Sequence, residues 1–311
     1  MKKIPVGATI ARAYRFAFSD FFKILGVMWL PMGIMWLPGF FVRQRMMELS
    51  AQLTAHNFSG FGAMMWFLVP FYLVALVLIF MQIIGIAQIA LDRRKGPVWF
   101  YFWLGRPVWR LIGSFLLLIV AFIIGWIAVL LGGVVIGFLL GLISKAVNNS
   151  VFGTAVAVVT GLAFIVLWCG YFYSLIRLTF LLVPVVAAET DGFALARSWA
   201  LGLRNFWRMF VILLATLGPF IVLEFALIFG IMFKGMPFPP PQASAAQKAV
   251  FQAAMHARML EMMNAMYHYW YITYPLMIAV IVVFYGLCTG AQCFAYRALT
   301  EGEASAPVAG N

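Results

Sequence analysis

Six stretches of this chain are too apolar and too long for a water-soluble fold to cover. They run over Ile24–Phe41, Met64–Leu91, Leu111–Ile143, Gly153–Ile176, Phe210–Phe233 and Trp270–Ala295. A helix rises 1.5 Å per residue, so roughly 20 apolar residues cross the ~30 Å hydrocarbon core of a bilayer. The runs therefore predict an all-α membrane protein with six transmembrane helices. Several exceed the minimum, which implies tilt or ends that project beyond the hydrocarbon. The rest of the composition agrees: charged residues are 10% of the 311 and mean hydropathy is +1.02. A soluble domain of that balance would expose large apolar patches and aggregate. The 11 Trp and 11 Tyr suit a protein anchored at two lipid–water interfaces.

The 21 Lys and Arg are unevenly divided. Fifteen precede the first run, lie in the 92–110 and 177–209 connections, or follow the last run; six lie on the other side. By the positive-inside rule, both termini are expected in the cytoplasm. Because the basic residues flank apolar runs, the net charge of +12 points to anionic lipid headgroups as partners and not to nucleic acid. Cys169, Cys288 and Cys293 fall inside apolar runs and read as small core residues. The segment after Met1-Lys2-Lys3 carries Arg12, Arg15 and Asp20, so no cleavable signal peptide is expected. One outer connection is long: residues 237–268 combine a stiff Pro237–Pro241 stretch with an amphipathic, helix-forming run. Residues 298–311 read as a flexible cytoplasmic tail.

The chain also repeats itself. Ala11–Ile24 aligns with Ala196–Met209, with three identities and seven conservative exchanges, among them Tyr14/Trp199, Asp20/Asn205 and Lys23/Arg208. A weaker copy spans Tyr101–Leu111, where Gly105 and Pro107 should shorten or kink its helix. Each copy precedes an odd-numbered run. The expected architecture is three parallel repeats of an interfacial helix plus a two-span hairpin, in units 8–91, 98–177 and 193–297. In the first copy Tyr14, Phe18, Phe21, Phe22 and Leu25 share one helical face, opposite Arg12, Arg15, Ser19 and Lys23. Such a helix is expected to lie in the headgroup plane. Arg12, Lys23, Arg106, Arg110, Arg177, Arg197, Arg204 and Arg208 then become candidate headgroup contacts, their long stems snorkelling to phosphate.

The run Arg177-Leu178-Thr179-Phe180-Leu181-Leu182-Val183-Pro184, with Ala196-Arg197-Ser198-Trp199 and Asn205-Phe206-Trp207-Arg208, resembles bacterial six-span membrane proteins of uncharacterised function. These include proteins labelled as the membrane domain of glycerophosphoryl diester phosphodiesterases. The resemblance implies a membrane architecture in a bacterial inner membrane and no active-site residue, because the soluble phosphodiesterase barrel has no counterpart here.

Individual residues admit a functional and a structural reading. Glu224 lies deep in the fifth run and is a candidate proton carrier or partner of Arg43 or Arg45, or else a hydrogen-bonded packing residue. Gln88 and Gln292, each five residues before an arginine, are candidate interhelical hydrogen bonders or substrate contacts. Gly133, Gly137 and Gly141, with Gly153, Ala157 and Gly161 in the next run, form small-residue ladders that allow close helix packing. Met255, Met259, Met262 and Met266 form a helical stripe near His256 and His268, which could in principle bind Cu(I) but reads as a packing face. No cofactor or metal site is expected. The spacing of the repeated units puts Arg177 at the cytoplasmic boundary, reaching phosphate, Asp92 or Glu189. Leu178–Ala188 is then too short to span and should either prolong the fourth span beyond the bilayer or turn to lie in the inner interface, with a bend near Pro184.

Nine acidic residues and three histidines in no cluster offer no catalytic constellation. The leading expectation is a non-enzymatic scaffold, regulatory or lipid-interacting membrane component, with a membrane-protein partner or a homo-oligomer. A transporter or channel through the bundle is the alternative, and a membrane-embedded lipid enzyme the third.

Overall fold

The computed structural model describes residues 3–35, 61–94, 99, 103–147, 150–232 and 244–301. The end of the first expected span, the loop bearing Arg43 and Arg45, the Pro237–Pro241 stretch and residues 302–311 lie outside them. Among the described residues the chain is helical, with no strand. The helices are α1 (Val6–Ser19), α2 (Phe21–Met35), α3 (Phe61–Ala90), α4 (Arg106–Val147), α5 (Ser150–Thr179), α6 (Leu182–Ala188), α7 (Ala194–Leu201), α8 (Phe206–Met232), α9 (Ala245–His268) and α10 (Trp270–Thr300). Five spans pass the length and hydropathy required to cross a membrane: those built on α3, α4, α5 with α6, α8 and α10. The bent pair α1–α2, with 67° between its axes, is a sixth candidate. These are the properties of a multi-pass membrane protein.

Pro70, Pro219 and Pro275 sit inside α3, α8 and α10. α9 begins with a reciprocal cap: Gln247 N–H donates to the Ser244 hydroxyl at 3.3 Å, and Ser244 N–H donates to the Gln247 side chain at 2.9 Å. That cap satisfies two N–H groups which a helix start leaves open. Pro107 stands in the first turn of α4, where its missing N–H costs nothing. The helix therefore starts there, and no separate interfacial helix precedes it among the described residues.

The core gathers at one end of the bundle. α1 packs along the last half of α10, and α10 also meets α3, α6 and α8. The α1–α10 contact rests on small residues: Ala13 and Ala17 of α1 are fully buried, and Gly286 and Gly290 of α10 face that helix. A Cβ added at Gly286 would stand 3.3 Å from Ala17 and 2.9 Å from Ile24 Cδ1; one at Gly290 would stand 2.8 Å from Phe16 Cδ1. α1 turns its small-residue face to α10. Its buried stripe is Thr9, Ala13, Phe16 and Ala17, whereas Phe18 and Phe22 of the expected apolar face are exposed. Close approach of two backbones through small side chains wins over burial of the larger rings, which lipid can cover.

The short run after α5 also finds a different place. The chain turns at Phe180 and Leu181, ahead of Pro184, and α6 follows with Leu182, Pro184, Val185, Val186 and Ala187 all buried. α6 contacts α3, α4, α7 and α10. A helix that is apolar all round belongs in an interior, and seven residues suffice to fill the middle of this end.

α4 and α5 form a separate hairpin. They pack on one another along their length and, among the described residues, meet the core of the protein through their ends. A Cβ at Gly133 would stand 3.1 Å from the Phe164 ring, and one at Gly137 would stand 3.7 Å from Thr160. The second small-residue ladder is not in this contact: Ala157 and Gly161 are exposed, and nothing stands within 4 Å of a Cβ on Gly161 or Gly141. The ladder of α4 meets larger side chains of α5, knob against groove, because two facing ladders would leave a gap.

Candidate functional site

Basic residues from several helix ends converge on the same end of the bundle, and Arg93, Arg110, Arg177, Arg208 and Arg297 bind backbone carbonyls there. Arg93 donates to the Ala187 carbonyl at 3.3 Å, at the end of α6. Arg110 donates to the carbonyls of Glu189 and, at 3.0 Å, Gly192. Arg208 donates to the Ile4 carbonyl at 2.9 Å, while Ile4 N–H donates to the Asn205 side chain at 3.2 Å. Arg297 donates to the Leu91 carbonyl at 3.1 Å and to Asp92 at 2.7 Å. The Ala187 and Leu91 carbonyls close α6 and α3, where a helix leaves its last carbonyls unpaired and partly negative, so a guanidinium satisfies both the hydrogen bond and the dipole there.

Glu189 joins several elements. One of its carboxylate oxygens accepts from Arg197 and from the Tyr296 hydroxyl, both at 3.0 Å. With the Arg110 bond to its carbonyl, Glu189 links the end of α6 to α4, α7 and α10.

Arg177 is the most enclosed cation among the described residues, with 5% of its surface exposed. Its Nε donates to the Trp199 carbonyl at 3.0 Å and its Nη1 to the Tyr173 hydroxyl at 3.2 Å. The guanidinium lies 3.8 Å from the centre of the Trp199 ring, a cation–π contact. Ser198 donates back to the Leu178 carbonyl at 2.9 Å. Arg177 is thus an internal clamp between α5 and α7 and does not reach the surface or either expected carboxylate. Glu189 is taken by Arg197 and Tyr296, and Asp92 by Arg297.

The end of α3 shows the same economy of polar groups. Arg93 N–H donates to the Gln88 carbonyl and Asp92 N–H to the Ile89 carbonyl, at 2.9 and 3.0 Å. This is a Schellman stop with Asp92 in the left-handed position at φ 55°. Arg204, in the turn between α7 and α8, also has positive φ, 64°, and is exposed. The aligned segments break at matching places: α2 starts at Phe21 and α8 at its counterpart Phe206.

Beside these internal bonds a cleft of about 380 Å³ opens between α1, the end of α3 and the end of α10. Arg12, Arg15, Lys23, Arg94 and Arg297 line it with Asp20 and Asp92. Of the expected headgroup contacts, Arg12, Lys23, Arg106 and Arg204 are exposed, Arg110, Arg197 and Arg208 are half-buried, and Arg177 is inside. Only Arg12 and Lys23 among them line this cleft.

Glu224 stands exposed on α8, and it lines neither this cleft nor its neighbour at the N-terminus. Gln88 and Gln292 are half-buried. A more enclosed amide escapes sequence reasoning: Gln82 of α3 is 1% exposed, and its side-chain nitrogen has no hydrogen-bond partner among the described residues. The Gly286/Gly290 and Ala13/Ala17 pairs escape it too, although both have the four-residue spacing of the α4 ladder. On α9, Met255 and Met262 are half-buried, and His256 and His268 are exposed. No family model, curated protein or solved structure matches the chain.

Proposed function

We propose that this protein is a non-enzymatic, lipid-interacting component of a bacterial inner membrane, with six spans and both termini cytoplasmic. It presents a rigid basic end to the anionic leaflet and there organises lipids or a membrane-protein partner. The observation that carries the reading is the contrast between bound and unbound cations at that end. Arg93, Arg110, Arg177 and Arg208 hold the helix ends together, while Arg12 and Arg15 face outward over a cleft. A platform whose fold is fixed by internal arginines can offer the others to headgroups without rearranging. Matching helix breaks at Phe21 and Phe206 support treating the first and third units as repeats of one plan, and the resemblance to bacterial six-span proteins is in keeping with it.

Two measurements test this. Single cysteines on a background lacking the native three should leave position 192 inaccessible to an impermeant maleimide added outside cells, and position 259 accessible. Labelling of position 192 from outside would invert the orientation and sink the reading. Lipid retained by the protein through detergent purification should be richer in anionic species than the bulk membrane. A composition equal to the bulk would remove the lipid-interacting role.

A further inference from the structure

Arg12 and Arg15 differ from the other cations that line this cleft. Lys23 is held by Asp20 at 2.5 Å and Arg297 by Asp92 at 2.7 Å. Arg12 and Arg15 make no hydrogen bond or ion pair with any described residue. They stand three residues apart on α1, a spacing at which like charges repel. Five cations of the cleft face two carboxylates, and each carboxylate already holds a cation. Phe16 and Phe294, edge to face at 5.9 Å, form its apolar floor. A floor that excludes water on one side strengthens any charge-assisted hydrogen bond made above it. A neighbouring cleft of about 320 Å³ shares Arg12 and Phe294 and adds Lys3, Thr9 and Glu301, so the charge there is mixed and the excess of cations belongs to the first cleft.

We propose that the cleft between α1 and the ends of α3 and α10 is an anion site for a phosphate group. Arg12 and Arg15 supply its guanidinium donors, and Lys23, Arg94 and Arg297 supply the surrounding positive field. The planar fork of arginine matches two phosphate oxygens at once, which a lysine cannot do. The phosphate can belong to the glycerophosphate headgroup of an anionic lipid or to a soluble phosphate. The lipid source rests on the reading that this end meets the anionic leaflet; the soluble source does not.

The test compares the full chain with R12Q/R15Q and with R258Q, a control on α9 whose cation pairs with Glu261. In neutral detergent, inorganic phosphate and glycerol 3-phosphate are titrated by calorimetry. In phosphatidylcholine nanodiscs with and without phosphatidylglycerol, retained lipid is counted by native mass spectrometry. Wild type and R258Q should bind alike, and R12Q/R15Q about tenfold or more weakly, as loss of charge-assisted bonds implies. R12K/R15K should fall between them. A difference seen only in nanodiscs assigns the site to lipid, and one seen with soluble phosphate assigns it to the free anion. Equal binding by wild type and R12Q/R15Q in both arms overturns the site, as does a wild-type protein that binds neither probe. Both side chains are exposed, so the variants should fold; R12Q and R15Q singly repeat the comparison if the double variant does not purify. An inverted topology with intact phosphate binding would overturn the lipid-leaflet reading and leave the anion site standing.

Discussion

The α3 span and the α4–α5 hairpin are built from similarly apolar sequence, yet one is packed into the core of the basic end and the other stands apart. In the most apolar part of α3, 61% of residues are buried within the protein; in α4 the share is 11% and in α5 it is 0%. α4 has 42 residues, about 63 Å at helical rise, so the hairpin outreaches the ~30 Å hydrocarbon core. Its outward side chains, such as Val134 and Phe138, are exposed. Lipid is as apolar as leucine, so hydrophobicity alone does not draw these helices to the others. What the basic end has and the hairpin lacks is a second kind of contact. Small residues let α1 and α10 meet at backbone distance, and guanidiniums tie helix ends that would otherwise leave carbonyls unpaired. The hairpin has its own small-residue seam, which the Tyr171 hydroxyl crosses to donate to the Phe122 carbonyl at 3.3 Å.

The contrast can be broken most sharply at Gly286. Gly286→Leu must displace Ile24 and Ala17, and we expect it to lower stability in detergent by about 3 kcal/mol, the upper end for overpacking. An unchanged thermal midpoint would mean that the α1–α10 contact does not hold the basic end together. Arg177→Met should come next, at about 2 kcal/mol. It removes bonds to Trp199 and Tyr173 and a cation–π contact, while keeping most of the packed volume. A neutral result in the same melting assay would return Arg177 to the surface role its sequence suggests.

The hairpin should respond less and more locally. Gly137→Leu is expected to cost about 1–2 kcal/mol, because a leucine there runs into Thr160 across the seam. Gly161→Leu, facing open space, should leave the midpoint unchanged. Equal loss from both would show that the two ladders face each other after all. The smallest effect is expected at Glu189→Gln. Its side chain and that of Arg197 are 26% and 36% exposed, so screening holds the pair to about 1 kcal/mol or less. A salt titration checks this: the difference between variant and wild type should shrink as ionic strength rises.

Much of this is open to reading from the residues. The lengths of the apolar runs place α3, α8 and α10 within a few residues of their observed limits, and the helix-forming run within 237–268 contains α9. The self-similar segments name some of the basic residues that converge at one end, Arg110 and Arg208 among them, while Arg93, Arg177 and Arg297 lie outside those segments. What cannot be read is the partner of each. Arg177 and Arg208 look alike in sequence, since both are single cations beside an apolar run. One is enclosed against Trp199, and the other reaches the Ile4 carbonyl far away in the chain. The ladder in α4 stands out because it repeats three times, whereas Gly286 and Gly290 make a shorter motif with a closer contact.

The sequence by itself determined the class of the protein and the extent of its long apolar helices. Both follow from the free energy of moving side chains out of water, which outweighs the other contributions and adds up residue by residue along the chain. It also determined where the cations cluster. Only the tertiary structure decided which of those cations are internal and which remain outside. It alone decided that α1 turns its small face inward and that α6 fills the middle of the basic end. Those outcomes depend on which backbone can approach which at a few tenths of an ångström, and on which carbonyl is left without a partner when it does. Both are properties of pairs of distant segments, and no single segment contains them.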